Sequence, residues 1–93
     1  MPTDFVKVDK VRLVQKDSAV KAFCDVLIAG VFVVKGLRVI SGSKGLFVGF
    51  PREKGKDDKY YDTFYPITNE ARLELVNAVI AAYETATKEV KEG

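Results

Sequence analysis

The sequence predicts an α+β domain: an antiparallel sheet of about five strands in meander order, with one C-terminal helix packed on a face, in a dimer. Three observations carry that expectation. Apolar residues fall on alternate positions from Val20 to Ile28, which is the period of a strand. Short β-favouring runs are separated by turns rich in Gly, Ser and Lys. Beyond Thr68 the apolar spacing changes to three and four, the period of a helix.

The elements follow in order. Val11–Gln15 is a short β-favouring run, and Lys16-Asp17-Ser18 reads as a turn. Over Ala19–Ala29 the even positions carry Val20, Ala22, Cys24, Val26 and Ile28. The odd positions mix Lys21 and Asp25 with Phe23 and Leu27, so one face is buried and the other only partly wet. Gly30 marks a tight hairpin into a strand from Val31 to Ile40, which Gly36 bends or bulges. Ser41–Gly45 is the next turn, and Leu46–Phe50 the next strand. Pro51 ends that strand because it has no N–H to give to a neighbour.

Arg52–Lys59, eight residues with seven charges, reads as a solvated loop or an extended hairpin tip. Tyr60, Tyr61, Phe64 and Tyr65 form the last strand, closed by Pro66. Thr68 or Asn69 caps the helix, and Glu70 complements the positive end of its dipole. Leu73, Val76, Val79, Ile80 and Tyr83 share its apolar face. About 22 helical residues reach roughly 33 Å, enough to lie along the longer strands.

Ninety-three residues suit a single domain, 1–93, with 1–8 and 88–93 expected to fray. One core in a chain this short is thin, and pairing with a second copy would thicken it. No apolar run reaches the roughly 18 residues of a membrane span, and no signal peptide is expected. A lone cysteine, Cys24, fits a reducing cytoplasm. Residues 1–68 hold twelve Lys or Arg against eight Asp or Glu, whereas 69–93 hold three against five. The strand-rich part is therefore basic and the helix acidic, an asymmetry that permits a polyanion-binding face.

Catalytic chemistry is not apparent. The chain has no histidine, the usual general base near neutral pH. Cys24 sits in an apolar phase of a strand and has no CxxC partner. Asp57, Asp58 and Asp62 stand among lysines, as a solvated loop would place them. Gly42, Gly45 and Gly49 match no phosphate loop. No enzyme activity, cofactor, metal or small-molecule substrate is expected.

Binding is the better prospect. Lys44, Arg52, Lys54, Lys56 and Lys59 can neutralise phosphates, and Tyr60 and Tyr61 beside them can stack on unpaired bases. Glu53, Asp57 and Asp58 interleave, so residues 52–59 net only +1, and a merely soluble hairpin tip is the alternative. Arg72 either meets nucleic acid or pairs with Glu70 or Asp62. Arg38, between Leu37 and Val39, reads as a wet-face strand residue, with a place in the basic surface as the other option. The aromatics Phe47, Phe50, Tyr60, Tyr61, Phe64 and Tyr65 exceed the needs of one small core and suggest a seam between subunits.

Leu37-Arg38-Val39-Ile40, Gly45-Leu46-Phe47-Val48, Phe50-Pro51 and Tyr65-Pro66-Ile67, followed by a helix carrying Arg72, together resemble the SpoVG family of small regulators linked to sporulation and septation. Val11-Arg12-Leu13 and Phe32-Val33-Val34 extend the resemblance over most of residues 11–83. It implies a cytoplasmic homodimer that binds DNA and RNA and controls gene expression. Arg52 and Lys54 match the family's basic positions after the proline, and Arg72 its basic position in the first helical turn. Glu53 and Leu73-Glu74 depart from more basic stretches in relatives. The alternative is a protein-interaction module of the division or developmental machinery, bound through a sheet edge or the aromatic seam.

Overall fold

The structure, a computed structural model, describes residues 5–14 and 17–92. Gln15 and Lys16, the end of the first expected strand and the start of its turn, lie outside the described residues, as do 1–4 and 93. The chain runs β1 (Val6–Leu13), β2 (Val20–Ile28), β3 (Phe32–Gly42), β4 (Gly45–Gly49), β5 (Arg52–Lys54), β6 (Tyr60–Asp62) and α1 (Asn69–Glu92). The first four strands form one antiparallel sheet in the order β1-β2-β3-β4, and β5 pairs only with β6. The expected meander and C-terminal helix are both present.

Three differences from the expectation have local causes. β1 starts at Val6 rather than Val11, because Val6 and Val8 pair with Ile28 and Val26 and bury apolar side chains there. Residues 6–8, expected to fray, are thus part of the sheet. The last strand ends at Asp62. Thr63 turns back to Pro51, its amide donating to the Pro51 carbonyl at 2.8 Å, and Phe64 and Tyr65 fall beyond the strand. The partner of Tyr60–Asp62 is Arg52–Lys54, so of the two readings of residues 52–59 the extended hairpin holds and the solvated loop does not.

Alternation sets the faces. Val6, Ala22, Cys24, Val26, Leu37, Val39, Val48 and Phe50 point to one side of the sheet and enclose Leu75 and Val79 of the helix. Burying each Val, Leu or Phe side chain among them contributes roughly 1.5–3 kcal/mol. The helical face is centred on Leu75 and Val79, with Val76, Ala78, Ile80 and Tyr83 at its margins. Leu73, placed on that face from spacing, is 60% exposed. At 100° per residue it lies about 160° around the helix from Leu75. Thr68 is the N-cap: its hydroxyl oxygen accepts from the Ala71 amide at 3.1 Å. Among the described residues, no helix is long and apolar enough to cross a membrane.

The other face of the sheet carries no helix. The register lines up Arg12, Phe23, Arg38 and Gly49 in one row, Lys7, Leu27 and Val33 in a second, and Val20, Ile40 and Phe47 in a third. Asp25 is the buried charge on this face. Arg12 grips it with two parallel bonds, Nη2 to Oδ2 at 2.9 Å and Nη1 to Oδ1 at 3.3 Å. Beside this pair Cys24 is fully buried, and burial, followed by the Asp25 charge, pushes its thiol pKa up, against a smaller opposing pull from Arg12. It is a core residue, as its strand phase predicted.

At the β2–β3 hairpin, Ala29 and Gly30 both take left-handed φ values, 56° and 75°, and the Val31 amide donates to Ile28 O at 3.1 Å. This is the primed turn whose twist matches its strands, and Gly accepts it without strain.

Candidate nucleic-acid interface

Pro51 launches a short two-stranded ribbon. Its base is fastened twice, since the amide and the hydroxyl of Thr63 both donate to Pro51 O, at 2.8 and 3.2 Å. Its tip is a compact turn. The Asp58 amide donates to Gly55 O at 3.1 Å and the Gly55 amide to Lys59 O at 2.8 Å, with Asp58 at a left-handed φ of 65°. Asp tolerates that conformation better than most side chains. Asp57 adds a side-chain brace, its Oδ1 accepting from the Lys59 amide at 3.1 Å while its other oxygen accepts from the Tyr61 hydroxyl. These bonds hold the Asp57 carboxyl below its ordinary pKa, and the bond from Tyr61 raises the phenol above its own.

The ribbon's register sorts its charges. Arg52 lies opposite Asp62, Glu53 opposite Tyr61, and Lys54 opposite Tyr60. Opposed residues of an antiparallel pair share a face. One face therefore presents Arg52, Lys54, Tyr60 and Asp62, and the other Glu53 and Tyr61 with Asp57 bonded to it. The near-neutral string of residues 52–59 thus folds with its strand cations, Arg52 and Lys54, on one face, where Asp62 and the Asp58 carboxylate partly offset them, and with Glu53 and Asp57 on the other. On the first of these faces the Arg52 guanidinium lies 4.7 Å from the centroid of the Tyr60 ring, and Lys54 Nζ is 3.6 Å from Asp58 Oδ1. Both partners of that ion pair are exposed, so it constrains Lys54 only weakly. Lys56 and Lys59 are exposed at the tip.

Lys44 and Arg72 belong to other elements than this group. Lys44 occupies the two-residue β3–β4 turn, beyond Gly45. The five residues of β4 lie between that turn and the Pro51 junction, roughly 15 Å of extended chain. Arg72 is exposed in the first turn of α1. Among the described residues its side chain makes no ion pair with Glu70 or Asp62, one of the two readings of that residue.

Arg38 is placed more deliberately than a wet-face reading requires. It faces Gly49 across the β3–β4 pair, and its Nη2 donates to Phe50 O at 3.2 Å. A Cβ on residue 49 would stand 2.6 Å from that nitrogen, so the guanidinium uses space that only glycine leaves. Partial burial and the nearby Arg52 charge depress the Arg38 pKa, and Asp62 opposes them. The sequence held a signal for this, an arginine whose partner-strand position is glycine, but reading it required the register.

The aromatic residues do not form one seam. Phe50 is buried and Phe64 half-buried in the core. Phe47 lies on the open sheet face, Tyr60 and Tyr61 on opposite ribbon faces, and Tyr65 beside Phe5 and Ile67 near the helix start. Among the described residues, no group of three or more His, Cys, Asp or Glu is placed to share a metal ion.

The SpoVG family model matches residues 4–85, nearly the whole chain. The chain belongs to the SpoVG family. It is 44% identical over 85 residues to the SpoVG protein of Symbiobacterium thermophilum, covering 89% of this chain and 61% of that one. To the SpoVG protein of Archaeoglobus fulgidus it is 44% identical over 68 residues, 73% of this chain and 80% of the relative. To SpoVG 1 of Listeria monocytogenes it is 39% identical over 77 residues, 83% and 76% of the two chains. All three relatives are named for septation. This SpoVG-family chain spans about three-fifths of the length of the Symbiobacterium relative. Arg52 and Lys54 share one face of the ribbon, and Arg72 lies at the helix start.

Proposed function

We propose that this SpoVG-family chain is a non-enzymatic, cytoplasmic regulator that binds DNA or RNA, acting in septation, for which its relatives are named, or in sporulation, to which the family resemblance links it. Its contact surface is the ribbon face of Arg52 and Lys54, with Lys56 and Lys59 at the tip. Arg72 and Lys44 act as outlying phosphate contacts. The observation that carries this reading is the sorting of ribbon charges by register, which concentrates cations and an exposed aromatic ring on one surface. Phosphate contacts of this kind supply sequence-independent affinity and a steep salt dependence. The Arg52→Ala/Lys54→Ala/Arg72→Ala protein should bind nucleic acid more weakly, and its log affinity should fall less steeply with log salt. An unchanged salt titration would remove the site.

A second surface supports a protein partner, and the simplest is another copy of this chain. Phe23, Val33 and Phe47 are exposed on the open sheet face, with Leu27 and Ile40 half-buried among them. Apolar residues grouped on one face mark an interface more often than scattered ones do. Light scattering at micromolar concentration should give a dimer mass, and Phe23→Ser/Phe47→Ser should lower it to that of a monomer. Wild-type monomer would set the homodimer aside. Retained apolar binding to another protein without salt-dependent nucleic-acid affinity would favour the interaction-module reading.

A further inference from the structure

We propose that Arg38 completes a binding site with Arg52 and Tyr60 at the junction of sheet and ribbon, and that this site takes single-stranded nucleic acid, with an unpaired base on Tyr60 and a neighbouring phosphate on the two arginines. This inference rests on the nucleic-acid reading and adds to it a residue and a ligand class.

The geometry starts at Gly49. The Arg38 guanidinium occupies the space above that glycine and is steered by one bond to Phe50 O, 3.2 Å from Nη2. A guanidinium has five N–H donors, and this bond uses one. The remaining donors make no other hydrogen bond among the described residues. Arg38 is thus anchored on the rigid four-stranded sheet. Arg52 sits on the ribbon just past Pro51, and Pro51 itself packs against the sheet, 3.7 Å from where a Cβ on Gly36 would lie. The two cations come from different elements, and the bond from Arg38 to the Phe50 carbonyl, two residues before Arg52, brings them to one junction.

Their charges are not balanced there. Arg52 acts on Arg38 as a like charge and Asp62 as the opposing one. Lys54 on the same ribbon face has its own neighbour in Asp58. Two guanidinium groups and one carboxylate leave a net positive junction, which a phosphate monoanion would neutralise with fork-like bonds.

Tyr60 decides between single strand and duplex. Its residue is 58% exposed, and Arg52 lies over the ring at 4.7 Å. A guanidinium stacked on a ring is the arrangement into which an unpaired base inserts or onto which it continues the stack. Paired bases in a duplex are already stacked and offer an exposed Tyr only sugar and phosphate edges. Phosphate contact alone would explain Arg38 and Arg52 and would use the Tyr60 ring only to seat Arg52, leaving its exposed surface unused.

The test is fluorescence anisotropy on a labelled mixed-sequence single strand of about 12 nucleotides, a length within the site sizes of single-strand binders, and on the matching duplex. Each is titrated at several salt concentrations. Tyr60→Leu should weaken single-strand binding by about tenfold or more while keeping the salt slope, and Tyr60→Phe should restore it. Arg38→Gln should weaken binding and lower the slope magnitude by about 0.7, one single-strand phosphate contact. Duplex should bind more weakly than single strand and ignore Tyr60→Leu. If Arg38→Gln proves unstable in a thermal melt, the Tyr60 pair of variants still decides the matter. Wild-type binding by Tyr60→Leu, or tighter binding of duplex, overturns the proposal. The Arg52→Ala/Lys54→Ala protein separates the two levels. If it binds weakly while Arg38→Gln and Tyr60→Leu bind normally, only this inference fails. If it too binds normally, the parent reading fails with it.

Discussion

The four-stranded sheet and the two-stranded ribbon each have two unlike faces, and different forces make them so. In the sheet the asymmetry comes from burial, with Leu37, Val39 and Val79 fully enclosed between strands and helix. In the ribbon all six strand residues are exposed, and the asymmetry comes from which charges the register places side by side. Burial stabilises strongly, whereas exposed charges and turn bonds do so weakly. The sheet should therefore hold the fold and the ribbon should be free to hold the chemistry. Each variant below either strains or sharpens that division.

The largest effect belongs to the sheet. Leu37→Ala removes a fully buried side chain of β3, opens a cavity in the core and should lower unfolding free energy by about 2–5 kcal/mol in a urea titration. Lys54→Ala on the ribbon should stay within about 0.5 kcal/mol of wild type. A ribbon substitution as costly as the core one would break the comparison.

An intermediate effect is expected on the open sheet face. Arg12→Ala leaves the Asp25 carboxylate buried without its bidentate partner. The loss should be about 1–3 kcal/mol by the same measurement, since Arg12 is half-exposed and water can partly replace it.

The smallest effect concerns pH at the ribbon tip. Asp57 is held below its ordinary pKa by the Tyr61 hydroxyl first and the Lys59 amide second, and Tyr61 is raised by the same bond. A depressed carboxylate adds stability above its unfolded pKa and loses it as pH falls through the folded value. A raised phenol adds stability below its unfolded pKa and loses it as pH rises through the folded one. The brace is therefore fully made between about pH 4 and pH 10. In an NMR titration, Tyr61→Phe should move Asp57 back towards the ordinary carboxylate range without shifting the global melt.

How far the sequence revealed the molecule follows the same division. Alternation gave the β2 strand and, from Ala22 onward, the buried face with Cys24, because a sheet covered on one side leaves its period in the residues. The register shift between Val20 and Ala22, which turns Val20 to the open face with Ile40 and Phe47, left no such mark. The helix was legible too, but its centre slipped from Leu75 to the Leu73 side, since a solvent-exposed Leu imitates a core one. At the site, Arg52 and Lys54 were legible as basic residues after a proline. Their separation from Glu53 was not, because it depends on pairing with Tyr60–Asp62 across a turn. Lys44 was grouped with them by nearness in sequence, and β4 carries it away. Arg38 was read as a wet-face residue with a place in the basic surface only as the other option, since its distinctive feature is a glycine eleven positions later on another strand.

Trimming the ribbon tests the separation of fold from binding most directly. Replacing Glu53–Tyr61 with Asn-Gly keeps Arg52 opposite Asp62 on a two-residue primed turn and leaves the sheet untouched. Single-strand affinity measured against salt on this protein should show a loss of affinity and a flatter slope, with the thermal midpoint close to wild type. Binding with undiminished affinity and slope would contradict the account.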